Sequence, residues 1–229
     1  MKKIMVGEVQ GNILGMLADL MLKLQNGVIT PGQLGKFLKK EDPFIIGDYL
    51  EIIVEWEKFY KKYFDLGCDF SSVHVPEKPA GKYRLLIVGD ISLEKLYAKC
   101  KELFPCWRWT NNDLDKIVVR NERDAKQSVY AVWVKDVVEA DEDLKNLSAD
   151  DIKGRGLMTE TLAERIIHGL MFFDETSKHL DIKNFTLCAG SRYADGDVPR
   201  VRWGDDGEMS VYRCRPDARD GGLRARSAV

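Results

Sequence analysis

Ser128-Val-Tyr-Ala-Val-Trp-Val134 decides the class of fold, because its β-branched and aromatic side chains are those of a buried strand in a chain that opens with helices. Tyr83-Arg-Leu-Leu-Ile-Val88 is a second such run, entered from a loop over 76–82 that holds Pro76, Pro79 and Gly81. Gly89-Asp-Ile-Ser92 turns it into a helix capped by Ser92, with Leu93, Leu96, Tyr97, Cys100 and Leu103 facing inward. The single glycine of that turn excludes the spacings of a dinucleotide fingerprint or a phosphate-binding loop.

Working outward, Phe104–Trp109 reads as a short strand into a turn, and Lys116–Val119 as another strand or a helix end, with a charged connection at 120–127. Asp136–Lys145 reads as a solvated acidic face. Ser148 caps a short helix closed by Gly154 and Gly156. Thr161-Leu-Ala-Glu164 is a capping box opening a helix with Leu162, Ile166, Leu170 and Phe173 on its inner stripe. That wheel sends Glu160, Glu164 and His168 to the solvent side. A hairpin follows, Val198–Trp203 and Glu208–Cys214 about the turn Gly204-Asp-Asp-Gly207.

Toward the N-terminus, Ile13, Leu17, Leu20 and Leu24 recur at helical spacing. Thr30-Pro-Gly-Gln33 is a capping box for a second helix that Asp42-Pro43 stops. Tyr49, Ile52, Ile53, Trp56, Phe59, Tyr60 and Tyr63 carry a third over about 48–64. The fold expected is α+β: a helical segment over 1–66, then a mixed α/β body over 67–229 that ends in the hairpin.

The chain of 229 residues carries a net charge of −2, which gives no global pull toward nucleic acid or membrane. Its five cysteines are odd in number and form no Cys-x-x-Cys pair, so neither a disulfide framework nor a zinc knuckle is expected. Glu8, Asn12 and Asp19 interrupt the first apolar stretch before an export signal or a membrane span is complete. A cytoplasmic protein without metal, cofactor or membrane partner is the simplest reading.

Chemistry concentrates in Asn184–Trp203. Ser191, Asp195, Asp197 and, beyond the preceding helix, His179 are the candidates for a hydrolase or transferase acting on a phosphate- or carboxylate-bearing substrate. Ser191 lacks the second glycine of a nucleophile elbow, however, and Asp195-Gly-Asp197 suits an ordinary turn. A C-terminal histidine at a helix end also has a plain dipole role. Arginine is the stronger signal: Arg192, Arg200, Arg202, Arg213, Arg215, Arg219, Arg224 and Arg226 follow Lys183, and no lysine does. The planar guanidinium holds oxyanions bidentately where an ammonium offers only a point charge. Arg200 and Arg202 share one strand face, with Val201 and Trp203 on the other. A non-catalytic module that grips an anionic partner, nucleic acid among the candidates, is expected to use Arg192, Tyr193, Arg200 and Arg202, with Trp109, Trp203 or Tyr212 stacking. Seven acidic residues in the same tail offer the competing outcome of internal ion pairs. An assembly role for the N-terminal helices is the third reading.

Glu55-Trp-Glu-Lys-Phe-Tyr60, Phe104-Pro-Cys-Trp107, Thr186–Gly196, Val198-Pro199 and Leu223-Arg-Ala-Arg226 resemble an uncharacterised family of bacterial proteins of similar length. The likeness covers most of the chain and implies one evolutionary unit, with no activity, cofactor or catalytic residue attached to it.

Overall fold

The computed structural model describes residues 11–26, 29, 31–39 and 49–229. It is an α+β protein that divides into two compact units, Met1–Leu50 and Glu51–Val229. In the first, α1 (Gly11–Gln25) and α2 (Pro31–Leu38) occupy the two stretches predicted as helix, and proline takes the first position of α2, where its missing N–H leaves no bond unmade. The expected cap at Thr30 and stop at Asp42-Pro43 lie outside the described residues.

The third helix, α3 (Leu50–Phe64), lies in the second unit from Glu51 onward. Ile53, Trp56, Phe59 and Tyr60 are buried. Trp56 and Tyr60 also act as hydrogen-bond donors to β1 (Tyr83–Val88): the indole Nε1 reaches Leu85 O at 3.0 Å and the phenol Ile87 O at 2.9 Å. The same phenol accepts from Gly89 N at 2.7 Å. These bonds fill the edge of β1 that no strand covers, where bare carbonyls would otherwise invite another chain. On its other edge β1 pairs antiparallel with β4 (Tyr130–Lys135). β4 in turn meets the chain end through a Val134–Ala228 bridge and reciprocal bonds between Trp133 and Val229.

After β1, α4 (Leu93–Leu103) buries Leu93, Leu96, Tyr97 and Cys100, while Leu103 is 37% exposed and does not join the inner stripe. Its first amides are taken by carboxylate: Leu93 N and Glu94 N each donate to Asp115 at 3.0 Å. The helix start is therefore already filled by an anion of the chain's own. The stretch expected to be a strand or a helix end is both, α5 (Leu114–Ile117) running into β3 (Val118–Asn121). In 136–145, read as solvated, Asp141 is 2% exposed and accepts from Ser227 N. α6 (Ala149–Gly154) and α7 (Leu162–Thr176) both carry the reciprocal cap of a capping box.

The hairpin forms as expected from β7 (Val198–Trp203) and β8 (Met209–Cys214), in register Arg200↔Tyr212 and Arg202↔Ser210. It is the middle of a five-stranded mixed sheet ordered β2-β8-β7-β5-β9, where β2 is Cys106–Arg108, β5 Phe185–Leu187 and β9 Leu223–Arg224. β6 (Ser191–Tyr193) leaves this sheet to pair with β3 as a two-stranded ribbon. No helix among the described residues is long and apolar enough to cross a membrane.

Candidate anion-binding face of the sheet

The helical wheel of α7 misplaces its polar residues. Glu160, Glu164, Arg165 and His168 are all 2% exposed or less, so the polar side of the first turns of α7 is buried too, and only its last turn, at Glu175 and Thr176, is exposed. Each finds a partner: Glu160 and His168 meet each other, and Glu164 and Arg165 are met by residues farther away in sequence. Arg123 clamps both oxygens of Glu164 at 2.6 and 2.7 Å, and Tyr130 adds a third bond at 2.8 Å. Asp181 accepts from Arg165 Nε at 2.8 Å, Arg226 at 2.7 Å and Thr186 at 2.5 Å. Burial of the four charges on Glu164, Arg165, Asp181 and Arg226 is tolerable because each is paired and hydrogen-bonded.

These partnerships dispose of most of the C-terminal arginines. Arg226 goes to Asp181, Arg224 to Glu142, Arg219 to Asp151 and Arg215 to Asp217, while Arg213 takes both Asp195 and Asp197 at 2.6 and 2.5 Å. What remains is Arg192, Arg200 and Arg202. Arg202 donates to Trp203 O at 3.4 Å and, among the described residues, approaches one acid, the solvent-exposed Asp205, at 3.6 Å. Arg192 donates to the carbonyls of Ala189 and Ser191 at 2.6 and 2.8 Å. Arg200 lies over the rings of Phe185 (4.4 Å to the centroid) and Tyr212 (5.5 Å), with its buried Nε unbonded. Neither Arg192 nor Arg200 forms an ion pair among the described residues.

Cross-strand register explains how this face arises. Residues opposite one another in a sheet point the same way, so Arg200 and Arg202 on β7 stand with Tyr212 and Ser210 on β8 and with Leu187 on β5. Parallel pairing of β2 sets Trp107 beside Ser210. The rings of Trp107 and Tyr212 are 4.9 Å apart, those of Tyr212 and Phe185 5.7 Å, and Arg202 lies 5.0 Å above Phe185. Three rings and two guanidinium groups thus form one strip, with Trp107, at 41% exposure, its most open member.

The other predicted site residues lie elsewhere. Tyr193 is 3% exposed and meets the edge of Trp109, whose face is covered by Arg213. Trp203 is stacked on His179 with centroids 3.3 Å apart, beside Phe104. Trp109, Trp203 and Tyr193 are therefore committed to internal packing; the exposed ring is Trp107, beside Tyr212, which is partly buried, and Phe185, which packs partly against the buried cluster of Leu187, Val198 and Leu223. Of these, Tyr212 is readable from the hairpin register; Trp107 and Phe185 depend on which strands flank the hairpin. Burial, with Arg165 nearby, pulls the pKa of His179 down to about 4, so it is a neutral stacked ring and not a cation at a helix end.

Ser191 is fully buried, accepting from Leu162 N at 2.9 Å and donating to Asn121 Oδ1 at 2.6 Å. It holds the start of α7 to the β3–β6 ribbon. Asp195 and Asp197 flank Gly196 (φ 90°) in a turn closed by Asp197 N on Asp195 Oδ1, and Arg213 neutralises both. His179 sits apart, in the aromatic cluster with Trp203. Among the described residues no group of three or more His, Cys, Asp or Glu is placed to hold a metal ion. Comparison with protein-family models, with curated proteins and with solved structures gives no match.

Proposed function

We propose that the protein is a non-catalytic binding module that holds an anionic partner on the arginine-bearing face of the five-stranded sheet. The observation that carries this reading is Arg200, a guanidinium stacked over two rings that, among the described residues, has no carboxylate partner, beside Arg202, whose one acid among them is a loose surface contact. A stacked guanidinium is held in place while its edge stays free to donate, the arrangement that favours bidentate oxyanion binding. Retention on an immobilised polyanion at low salt tests it. Arg200→Gln with Arg202→Gln should elute at clearly lower salt, whereas the charge-matched pair Arg215→Gln with Arg219→Gln, both already neutralised, should elute close to wild type. Equal effects of the two pairs would mean that net charge alone governs retention.

A second reading has its own observation. α1 exposes Leu14, Met16, Met21 and Leu22, more apolar surface than one short helix normally leaves to water. We propose this helix as an assembly element; light scattering of the full chain, with Leu14→Glu and Met21→Glu variants as controls, tests it. A wild-type chain that stays monomeric removes its support.

A further inference from the structure

We infer that the partner is a single-stranded nucleic acid, with a base seated on Trp107 and phosphates held along a track of arginines from Arg202 and Arg200 to Arg192 and Arg120. This rests on the sheet face being the binding surface and names what occupies it.

Two observations carry it. The first is Trp107. A polyanion without rings, such as polyphosphate or an acidic peptide, has little use for an open indole, whereas every base has a π-face to lay on one. Trp107 backs onto Tyr212 on one side, and it walls a recess of about 260 Å³ that also involves Tyr97, Lys101, Arg108 and Asn111. That volume is close to the roughly 300 Å³ at which small-molecule pockets begin. Arg108, over the ring of Tyr97 and paired with Glu94, fixes the floor.

The second is a pair of like charges. Arg120 and Arg192 stand directly opposite one another in the β3–β6 ribbon, an arrangement that destabilises a sheet unless something negative lies between them. Neither forms an ion pair among the described residues. Glu122 and Asp150 are close enough to act on Arg192 through space, yet neither takes it into a salt bridge. The bonds from Arg192 to Ala189 O and Ser191 O hold its guanidinium against the ribbon, so the group is positioned before any ligand arrives. This pair joins the sheet where β6 turns through 194–197 into β7, a connection held by Tyr193 N on Asp197 O at 2.8 Å and Cys188 N on Pro199 O at 2.9 Å. Unpaired bases are required, because a base inside a duplex offers no face to an indole.

Fluorescence anisotropy on the full chain tests the inference, with labelled mixed-sequence single-stranded RNA and DNA, a perfectly paired duplex, and labelled polyphosphate. Single strands should bind in preference to duplex. Trp107→Ala should weaken single-strand binding roughly ten-fold, Trp107→Phe should retain most of it, and polyphosphate binding should be unchanged in both, which also shows that the variants fold. Arg120→Gln with Arg192→Gln should flatten the slope of log affinity against log salt by about 1.4, the share of two single-strand phosphate contacts. If duplex binds as well as single strand, or Trp107→Ala has no effect while polyphosphate still binds, the nucleic-acid inference fails and the anion-binding reading stands. If neither polyphosphate nor any oligonucleotide binds, both fail together.

Discussion

Glu160 Oε1 and His168 Nδ1 lie 2.8 Å apart, and both side chains are almost wholly shut off from water. Burial raises the Glu160 carboxyl to about 8 from an ordinary 4.5, against the pull of Arg226 and Arg165, and pushes His168 well below 6.5. Among the described residues no donor reaches the second oxygen of Glu160, which fits a neutral acid better than a carboxylate needing several. The pair is then a carboxylic acid donating to a neutral imidazole.

That assignment makes stability depend on pH with a definite sign. The raised carboxyl contributes stability that is complete below 4.5 and lost as the pH climbs through 8, because the unfolded chain has already released the proton. The depressed imidazole contributes stability present above 6.5 and lost as the pH falls below it. Between 6.5 and 8 only Glu160 acts, so stability attributable to the pair should fall by about 1.4 kcal/mol per pH unit. Urea midpoints across that window should show the slope in wild type and lose it in Glu160→Gln; an unchanged slope in the variant would reassign it.

Asp181 bears on two buried cations at once. It is 0% exposed and pairs with both Arg165 and Arg226, and the arginine charges hold its carboxyl below the usual range despite burial. Asp181→Asn should destabilise the fold by about 3–5 kcal/mol, since it leaves two guanidinium groups uncompensated. Chemical denaturation reads this directly, and a loss under about 1 kcal/mol would show that water reaches the cluster.

Tyr60→Phe keeps the ring and removes one hydroxyl. Because that hydroxyl serves Ile87 O and Gly89 N together, the expected cost is about 1–3 kcal/mol by thermal or chemical unfolding. Gly89→Ala should also destabilise, as its Cβ would stand 3.1 Å from the same ring. Wild-type stability in both variants would mean that α3 does not stitch β1.

Ser191→Ala addresses the enzymatic reading. With its hydroxyl buried between Leu162 N and Asn121 Oδ1, Ser191 should resist serine-directed fluorophosphonate probes, and its loss should lower stability by about 1–2 kcal/mol. Stoichiometric labelling at Ser191 would contradict the structural role.

Local signals carried the elements well. Strand residues 130–134, the capping boxes at Ser148 and Thr161 and the hairpin about Gly204–Gly207 are all set by neighbours in the chain, so composition and spacing suffice to find them. The solvent face assigned to α7 failed for the opposite reason. Periodicity sends polar side chains to water, and only chain-distant partners such as Arg123 and Arg226 make a buried Glu164 or Asp181 acceptable. The arginine face was legible in part on the same grounds. Arg200 and Arg202 follow from strand alternation, but that Arg219 belongs to Asp151 and Arg224 to Glu142 is decided by tertiary contacts no local pattern records. Sequence does not separate Trp107 from Trp109, since both precede the same turn; the packing of Tyr193 and Arg213 around Trp109 does.

The sheet face is tested most directly by nuclear magnetic resonance titration of the full chain with a short single-stranded oligonucleotide. The largest shifts should fall on the Trp107 indole, on the Nε–H groups of Arg200 and Arg202, and on the Phe185 and Tyr212 backbone, vanishing as salt is raised. Shifts confined to residues outside that strip, or none at low salt, would contradict it.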